Sequence, residues 1–315
     1  MGTSELNRCL AGGSAIALGL LLSGCGGGGG GGVASMPPPT YTRLADLRGN
    51  QTFQSAGMHF KSIIGDQFTD HSVQKYGSGV TIAYNAAADS YTLTAPDGTT
   101  DTFSSSTSTP PSGYSPQPHQ LALFKNDAVL GIETPLVNGV ALNYTAVASW
   151  SHFNVDENSY YDENSYYNAV LGVPTIASDM PRSGTANYQT GVIGSVFLGS
   201  SSYDLSAAST ATFSADFAAG TVATTLRLAG SPFTPTPMIA TRPPYDFGSY
   251  SGTGTIAAGG PAFSGTLGPT PDNPIPLTGE FAGAFFGPQA KEMGYSFYLF
   301  SGGGLSIQGA VVGTK

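Results

Sequence analysis

Few side chains in this sequence have the types and spacing that catalysis or metal binding requires. The histidines His59, His71, His119 and His152 are scattered along the chain, so the sequence favours single exposed or hydrogen-bonded residues over haem or metal ligands. No G-x-S-x-G, H-E-x-x-H or P-loop motif occurs. Residues Gly252–Ala257 match G-x-G-x-x-A, but phosphate binding requires a following helix, and none is predicted there. The sequence therefore predicts a protein that is not an enzyme, with no cofactor and no metal.

A tandem repeat is the most unusual local feature. Asp156–Tyr161 and Asp162–Tyr167 both read DENSYY, and the first copy fails the EF-hand template because tyrosines stand where Asp, Asn and Gly are needed. Tyrosine is favoured at interfaces, so one interpretation is a partner-binding loop. The favoured interpretation is a local duplication in an exposed loop that tolerates insertions. The tyrosines that would carry a contact are Tyr160, Tyr161, Tyr166 and Tyr167.

The first 25 residues have the features of an export signal. Arg8 precedes the apolar stretch Leu10–Leu22, which is too short to span a bilayer. The sequence after it ends in Ser-Gly-Cys and resembles a bacterial lipobox, in which the bond between Gly24 and Cys25 is cleaved and Cys25 is lipidated. Cys9 leaves with the signal, so no disulfide is expected within the mature chain. An ordinary signal peptide or an uncleaved anchor are the alternatives.

Residues 26–40 are predicted to be a linker. Seven glycines form a flexible coil, and Pro37–Pro39 form a short stiff spacer. Gly26, directly after the cysteine, resembles lipoproteins sorted to the outer membrane. The linker would hold a folded body away from the lipid, on either face of that membrane; a glycine run that acts only as a spacer is the alternative.

Composition limits the fold and the partner class. The chain has 315 residues, 10% charged residues, 44 glycines and 22 prolines, which indicates many short strands joined by turns rather than long amphipathic helices. Its net charge is −9, and phosphate contacts need Lys and Arg, so nucleic-acid binding is disfavoured. The sequence predicts an all-β protein.

The C-terminal half is predicted to form a closed barrel. Apolar residues alternate in Glu280–Phe286, Tyr295–Phe300 and Leu305–Val312, which is the period of half-buried strands. Five earlier candidates bring the count to eight: Thr185–Leu198, Ala207–Phe217, Thr221–Leu228, Tyr250–Ala257 and Ala262–Leu267. Eight strands suit an antiparallel up-and-down barrel, and the bulk of its aromatic residues favours a filled interior. The proline-rich stretch Ser231–Asp246 is predicted to be a long connection.

A spaced motif in this half resembles a known family. It reads G-x-F-x-G-x-F-F-G-P-x-A-x-E-x-G and resembles the closing signature of the transferrin-binding protein B-like barrel domain, which ends in a run such as Gly309–Lys315. The residues that carry the match are Gly279, Phe281, Gly283, Phe285, Phe286, Gly287, Pro288, Ala290, Glu292 and Gly294.

The resemblance implies a domain organisation. Residues 172–315 would be the barrel, with Gly172–Tyr188 similar to the segment that leads into it. Residues 41–171 would be a smaller β-rich, handle-like domain, in which Val80–Tyr84, Tyr91–Ala95 and Thr99–Phe103 predict a small meander. Further strands are predicted at Gln120–Lys125, Ala128–Glu133 and Val140–Ser149. The family protein is bilobed, whereas this chain fits one lobe.

Glu292 has two interpretations. In a turn, its carboxylate is expected to accept backbone N–H groups of Gly287–Gly294 and so stabilise the hairpin. The less favoured interpretation is a ligand contact.

Two functions remain open at this stage. The family resemblance implies a lipid-anchored outer-membrane protein that binds an extracellular or periplasmic protein, or a small solute such as haem, in iron or nutrient acquisition. The alternative is a structural or assembly partner of another outer-membrane protein.

Overall fold

The computed structural model of the protein describes residues 39–63, 69–155, 161–199, 201–205, 208–232, 244–301 and 304–315. Within these ranges almost all regular structure is β. Single turns of 3-10 helix occur at Leu44–Asp46, Ala177–Asp179 and Pro288–Ala290. No helix in the described part has the length and apolar character to cross a membrane.

The N-terminal half contains two antiparallel sheets and a hairpin. Its strands are β1 (Gln51–Phe53), β2 (Ser55–Ile63), β3 (Thr69–Gln74), β4 (Thr81–Asn85), β5 (Ser90–Thr94), β6 (Thr100–Ser104), β7 (Gln120–Phe124), β8 (Ala128–Glu133), β9 (Leu136–Val137), β10 (Val140–Ala141), β11 (Thr145–Val155) and β12 (Tyr161–Gly172). One sheet has the order β1-β4-β5-β6, the other β3-β2-β12-β11-β8-β7, and β9–β10 is a separate hairpin.

The two sheets pack face to face around an aromatic core. In β4 and β5, alternate residues are buried, as the sequence pattern requires of half-buried strands. Trp150 of β11 stacks on Tyr167 of β12 with 4.4 Å between ring centroids, and Tyr84, Tyr91 and Phe103 of the first sheet complete the cluster. We call this half the sandwich. Of the predicted strands here, Val140–Ser149 is divided between β10 and β11, and β1 to β3 were not predicted.

The C-terminal half is a barrel. Its strands are β13 (Thr185–Leu198), β14 (Ser201–Leu205), β15 (Thr210–Asp216), β16 (Thr221–Pro232), β17 (Tyr245–Ile256), β18 (Ala262–Pro269), β19 (Thr278–Phe286), β20 (Glu292–Ser301) and β21 (Leu305–Thr314). Neighbouring strands are antiparallel, and β21 returns to pair with β13 along Gln189–Leu198, which closes the sheet. Closure pairs the first and last strands of this sheet, which an open sheet would leave as edges.

The strands β14 and β15 are two parts of one barrel strand. Asp204 of β14 pairs with Ser195 of β13, so an unbroken strand would place Ala211 opposite Tyr188. Phe213 lies there instead, two residues further along, which is the register shift of a bulge. The prediction of an eight-stranded antiparallel barrel preceded by a β-rich domain is therefore confirmed.

Side chains replace part of the hydrogen-bond ladder at this break. The Ser209 hydroxyl donates to the Ala229 carbonyl oxygen at 2.8 Å and accepts from the Ala229 N–H at 2.9 Å. On the other side, the Thr190 hydroxyl donates to the Ala211 carbonyl oxygen. These bonds satisfy backbone groups that a regular strand would pair.

Aromatic side chains fill the barrel interior. Phe281, Phe285, Tyr295 and Phe297, predicted to occupy the core, are all buried in one cluster with residues from the other barrel strands. The Tyr295 hydroxyl lies 2.7 Å from the Thr224 hydroxyl, so its polar end is hydrogen-bonded.

The two strands beside the proline-rich stretch extend into it, beyond their predicted bounds. Strand β17 begins at Tyr245 rather than Tyr250, and β16 continues to Pro232. Proline is tolerated at the end of a strand, so β16 can include Pro232, and the connection is shorter than the predicted Ser231–Asp246. Residues 233–243 of it lie outside the described part.

Candidate functional site at the joint between sandwich and barrel

The spaced motif divides between the barrel core and the joint with the sandwich. Its inward-facing positions are Gly279, Phe281, Gly283 and Phe285 on β19. A Cβ on Gly283 would lie 2.1 Å from the Gly294 carbonyl oxygen on β20, so the motif glycines allow the two strands to approach closely. The remaining motif residues lie at the end of β19, in the turn after it and at the start of β20. Most of them face the other half of the molecule, whereas Ala290 packs in the barrel core.

The turn itself is tightly held. Gly287 has φ +69°, and Pro288 to Ala290 form the 3-10 turn in which Ala290 has φ +57°. The Tyr188 hydroxyl of β13 donates to the Ala290 carbonyl oxygen at 2.6 Å. Thr175 donates its hydroxyl to the Gly287 carbonyl oxygen at 2.6 Å, so the segment before β13 anchors the same turn.

Small residues of the motif let the two halves touch. A Cβ on Gly287 would lie 2.4 Å from the Tyr144 ring, and one on Gly294 would lie 2.4 Å from a Val170 methyl carbon. Phe286 packs into the same apolar cluster as Tyr144 and Val170. Larger residues at either glycine would therefore push the barrel away from the sandwich.

Glu292 joins the two halves through hydrogen bonds. Its carboxylate is 1% exposed and accepts the backbone N–H groups of Asn143 at 2.8 Å and Tyr144 at 2.9 Å, together with the Thr145 hydroxyl at 3.0 Å. The prediction that it accepts N–H groups of its own turn is wrong, because the side chain points across the joint to the start of β11. A buried carboxylate needs such donors to replace its water.

A second apolar contact lies further along the joint. Met58 and Phe60 of β2 pack with Tyr298 of β20, and His71 stacks on Tyr298 with 4.5 Å between ring centroids. Glu292 and this cluster place β2, β12 and the start of β11 against the barrel wall.

A buried acid organises the sandwich. Asp101 accepts hydrogen bonds from Lys125, from Trp150 Nε1 at 2.9 Å and pairs with His152 Nδ1 at 2.9 Å. Burial alone would raise the pKa of the Asp101 carboxyl, but the bonds from Lys125, His152 and Trp150 outweigh burial and hold this pKa below its usual range. These residues tie β6 to β11, which lie in opposite sheets.

The second copy of the repeat is strand, not loop. Tyr161, Tyr166 and Tyr167 belong to β12, so the predicted partner loop is wrong for them; Tyr160 lies outside the described residues. Tyr167 is buried and donates its hydroxyl to Asp97 at 2.9 Å, and Tyr166 stacks on Phe60 at 4.7 Å. Period-two alternation in NSYYNAVL explains this, since Ser165, Tyr167 and Ala169 share the buried face.

The histidines are not brought together. His59 stacks on Tyr167 at 4.5 Å, His71 lies at the joint, His152 pairs with Asp101, and His119 has φ +61° near β7. In the described part, no three His, Cys, Asp or Glu residues are grouped so as to hold a metal ion.

Aromatic residues mark one rim of the barrel. Tyr245 is 50% exposed and contacts Tyr203 and Phe247, with ring centroids 6.2 Å and 4.7 Å away. Leu198, at the end of β13, is also exposed at this rim. Tyrosine combines a large apolar area with a polar tip, so this rim has the composition of a contact surface.

Comparison with known proteins finds a family model that matches the barrel. Residues 180–315 match the model for the C-lobe and N-lobe β-barrels of transferrin-binding protein B. These residues form a transferrin-binding-protein-B-like barrel domain. The predicted resemblance is confirmed, and the family consists of binding proteins rather than enzymes.

The chain spans about a quarter of the curated relative that it matches and less than half of one solved relative. Transferrin-binding protein B of Haemophilus influenzae is 26% identical over 152 residues, which is 46% of this chain and 24% of that protein. The solved transferrin-binding protein B of serogroup B Neisseria meningitidis aligns with 82% of this chain and 43% of its own, at 19% identity and a TM-score of 0.42. HpuA from Kingella denitrificans, solved in complex with human haemoglobin, aligns over 88% of both chains at 16% identity and a TM-score of 0.35.

Several residues predicted from the sequence to be functional lie outside the described part. Gly24, Cys25 and residues 26–38 of the linker are among them. Other important residues were not identified from the sequence. No motif includes Asp101, Lys125 or Trp150. A usable signal was Asp101 itself, a charged residue in the predicted strand Thr99–Phe103 of a chain with only 10% charged residues.

Proposed function

We propose that this chain is a lipid-anchored outer-membrane protein that binds an extracellular iron-carrying protein and performs no catalysis. The observation that carries the proposal is the match of residues 180–315 to the barrels of transferrin-binding protein B. The relatives are named for binding transferrin or were solved with haemoglobin, so these two proteins are the first partners to test.

The joint supports a binding role for the whole body. Glu292, Gly287 and Gly294 hold the sandwich against the barrel, so surface residues of both halves keep a fixed relation. A fixed surface lowers the entropy lost on binding a large partner. The exposed aromatic rim around Tyr245 supplies contact area of the kind that interfaces favour.

The filled barrel core argues against a ligand carried inside. Aromatic side chains from the barrel strands occupy the interior, and Tyr295 and Thr224 satisfy each other there. Haem or a solute would therefore bind on the surface rather than in the barrel. Absence of a Soret shift when haemin is added would be consistent with a protein partner.

Direct binding tests the proposal. The chain from residue 39 onward, immobilised on a sensor, is exposed to human transferrin and to human haemoglobin, each with and without iron or haem. We expect saturable binding of at least one, reduced about tenfold or more by Tyr245→Ala. Arg227→Ala, which removes an exposed ion pair with Asp246, is the matched surface control and should leave binding unchanged.

Two results would contradict the proposal. Lack of binding to either protein by a folded sample is the first. Co-purification from membranes of an outer-membrane protein alone, without any extracellular protein, would instead favour the assembly role.

A further inference from the structure

One end of the barrel carries a small groove. It has a volume of about 300 Å³ and lies between the segment before β13 and the turns that join β15 to β16 and β17 to β18. Met180, Phe217 and Ile256 contribute apolar side chains to its lining, and Arg182 is the charged residue there. Ile176, which precedes this lining in the chain, is 43% exposed. This end of the barrel therefore presents apolar side chains next to a guanidinium group.

Two lysines lie beside the groove. The Lys315 ammonium lies 5.6 Å from the centroid of the Phe217 ring and donates to the Gln289 carbonyl oxygen at 2.6 Å. The Lys315 N–H donates to the Lys291 carbonyl oxygen at 3.0 Å, and both lysines are exposed. Within the described ranges, neither Arg182 nor Lys291 takes part in an ion pair, so both charges are open to a partner.

Two further basic residues belong to the same end of the molecule. The exposed Lys75 precedes Tyr76, whose ring packs edge-on against Phe286 at the end of β19, with 6.0 Å between centroids. The exposed Arg43 precedes Leu44, whose N–H donates to a carbonyl oxygen just before β11, at the joint. We call this end, with the groove and Ile176, the basal surface; its basic residues are Arg43, Lys75, Arg182, Lys291 and Lys315.

Charge is distributed unevenly between the two ends of the barrel. The basal surface has five of the nine Lys and Arg residues in the described part, against three nearby acids, Asp46, Asp179 and Asp216. It therefore has positive charge in excess, although the chain has a net charge of −9. Around the Tyr245 rim, Arg227 is the one described base of the barrel, and it is accompanied by the acids Asp204, Asp246, Asp272 and Glu280.

The described chain begins next to the basal surface. The Tyr41 hydroxyl donates to the Asp179 carboxylate at 2.9 Å, and the same carboxylate accepts the Gln289 N–H at 2.8 Å. The predicted linker, residues 26–38, therefore joins the body at this end. A glycine-rich coil of 13 residues has a root-mean-square length of about 20 Å. A lipid on Cys25 would accordingly keep the basal surface close to the bilayer.

We propose that the basal surface docks on the anionic lipid surface of the membrane that holds the anchor. Arg182 and Lys291 would bind lipid phosphate groups, with Ile176 and the apolar groove at the level of the headgroups, since cationic and apolar side chains combine in this way at membrane interfaces. The tether raises the effective concentration, so a weak attraction is sufficient. This inference rests on the proposed function, because it requires the lipid anchor, and it adds an orientation to it.

Docking would direct the aromatic rim away from the membrane. Strand β17 begins at Tyr245, in the rim, and ends at Ile256, in the groove. At about 3.3 Å per residue, the two lie about 36 Å apart along the strand. The acidic rim end is also repelled by anionic lipid. A large partner would therefore reach the rim without meeting the bilayer.

Hydrogen exchange on vesicles tests the docking. The mature chain, residues 25–315, is coupled through Cys25, its only cysteine, to a maleimide lipid in vesicles of phosphatidylcholine alone or with about 30% phosphatidylglycerol. Amide exchange is followed by mass spectrometry. We expect exchange in residues 177–183 and 256–260 to be slower on the anionic vesicles by about threefold or more, and exchange in residues 268–273, near the rim, to be unchanged. Raising NaCl from about 50 to about 500 mM should abolish the difference.

Charge-reversal variants locate the contact. Arg182→Glu combined with Lys291→Glu should remove the difference between the two vesicles, because both residues would then be repelled by lipid phosphate. Arg227→Glu is the matched control: Arg227 is exposed at the rim end, so the difference should persist. Melting temperatures establish that the variants are folded. Should the double variant not fold, Arg182→Glu alone is compared, and it should reduce the difference.

Four outcomes would overturn the proposal. These are equal exchange on both vesicles, protection that survives the folded charge-reversal variant, protection of residues 268–273 in place of the basal surface, and protection of residues 177–183 without vesicles when the mature chain is compared with the chain from residue 39 onward. The last would assign the groove to the linker of this chain.

Failure of docking and failure of the proposed function give different results. Coupling at Cys25 is chemical, so this test does not require lipidation in cells. Transferrin and haemoglobin binding are measured on the same variants. Loss of docking with partner binding intact would refute the orientation alone, and docking without binding of either protein would refute the proposed partners alone.

Discussion

At the scale of single residues, the carboxylates of Glu292 and Asp101 act as structural acceptors. Each is buried and meets several donors: Glu292 two N–H groups and a hydroxyl, Asp101 an ammonium group, an indole and an imidazole. Their partners lie far away in sequence, so each carboxylate ties separate elements together.

Glu292→Gln should lower the stability of the protein. One carboxylate oxygen becomes an NH₂ group facing a backbone N–H, which costs about 1–3 kcal/mol of unfolding free energy. Urea unfolding followed by tryptophan fluorescence measures this. Glu280→Gln is the control, because Glu280 is exposed on the adjacent strand and should change stability by less than about 0.5 kcal/mol. Equal effects of both variants would show that the joint bonds contribute nothing.

Protonation of Asp101 should lower the stability of the protein at acid pH. Its pKa is lowered in the folded protein, so it stabilises the fold above its unfolded pKa, near 4, and this contribution is lost as pH falls through the folded pKa. The unfolding free energies of wild type and Asp101→Asn, measured from neutral pH downward, should differ by about 1–3 kcal/mol at neutral pH and converge in acid. Parallel curves would contradict this role.

At the scale of elements, the sequence specified the inward face of the barrel well. Alternation in β19 to β21 identified Phe281, Phe285, Tyr295 and Phe297 because a period of two fixes which face is buried. The alternation did not reveal that one barrel strand is split into β14 and β15. The split depends on how these two parts pair with the neighbouring strands β13 and β16, which a local pattern does not contain. Nor could it place Glu292 against Tyr144, since that contact joins positions far apart in the chain.

The β19–β20 turn should tolerate no side chain at Gly287. Gly287→Ala adds a Cβ 2.4 Å from the Tyr144 ring at positive φ, whereas Gly259→Ala adds one to a turn with positive φ and no atom within 4 Å. Gly287 has φ +69° and ψ −172°, a conformation that essentially only glycine adopts, so backbone strain of about 1–3 kcal/mol adds to the overpacking against Tyr144. We expect Gly287→Ala to cost at least about 2 kcal/mol more than Gly259→Ala. Similar melting temperatures would indicate that the joint is loose.

Loss of the Tyr167 side chain from strand β12 should destabilise the protein more than loss of the Tyr166 side chain. Tyr167→Ala removes a ring buried between Trp150 and His59 and should cost about 3–5 kcal/mol. Tyr166→Ala removes a half-buried ring stacked on Phe60 and should cost clearly less. Thermal unfolding compares them. If both variants melt like the wild type and lose only binding, the repeat is a contact surface.

At the scale of the whole molecule, the fold combines a filled barrel with a sandwich fixed to its side. The rim around Tyr245 is exposed on this body, and the buried bonds of Asp101 hold the two sheets of the sandwich together. We propose that this body is held by Cys25 and a glycine-rich linker on the outer face of the outer membrane, where a large partner can reach it.

Protease treatment of intact cells tests this placement most directly. Cells expressing the full chain are treated with a protease too large to cross the outer membrane, and the chain is followed by immunoblot with a periplasmic protein as control. We expect loss of the chain while the periplasmic control survives, and no loss in a Cys25→Ser variant that is retained inside. Survival of the chain until the outer membrane is permeabilised would contradict an outward-facing binding protein.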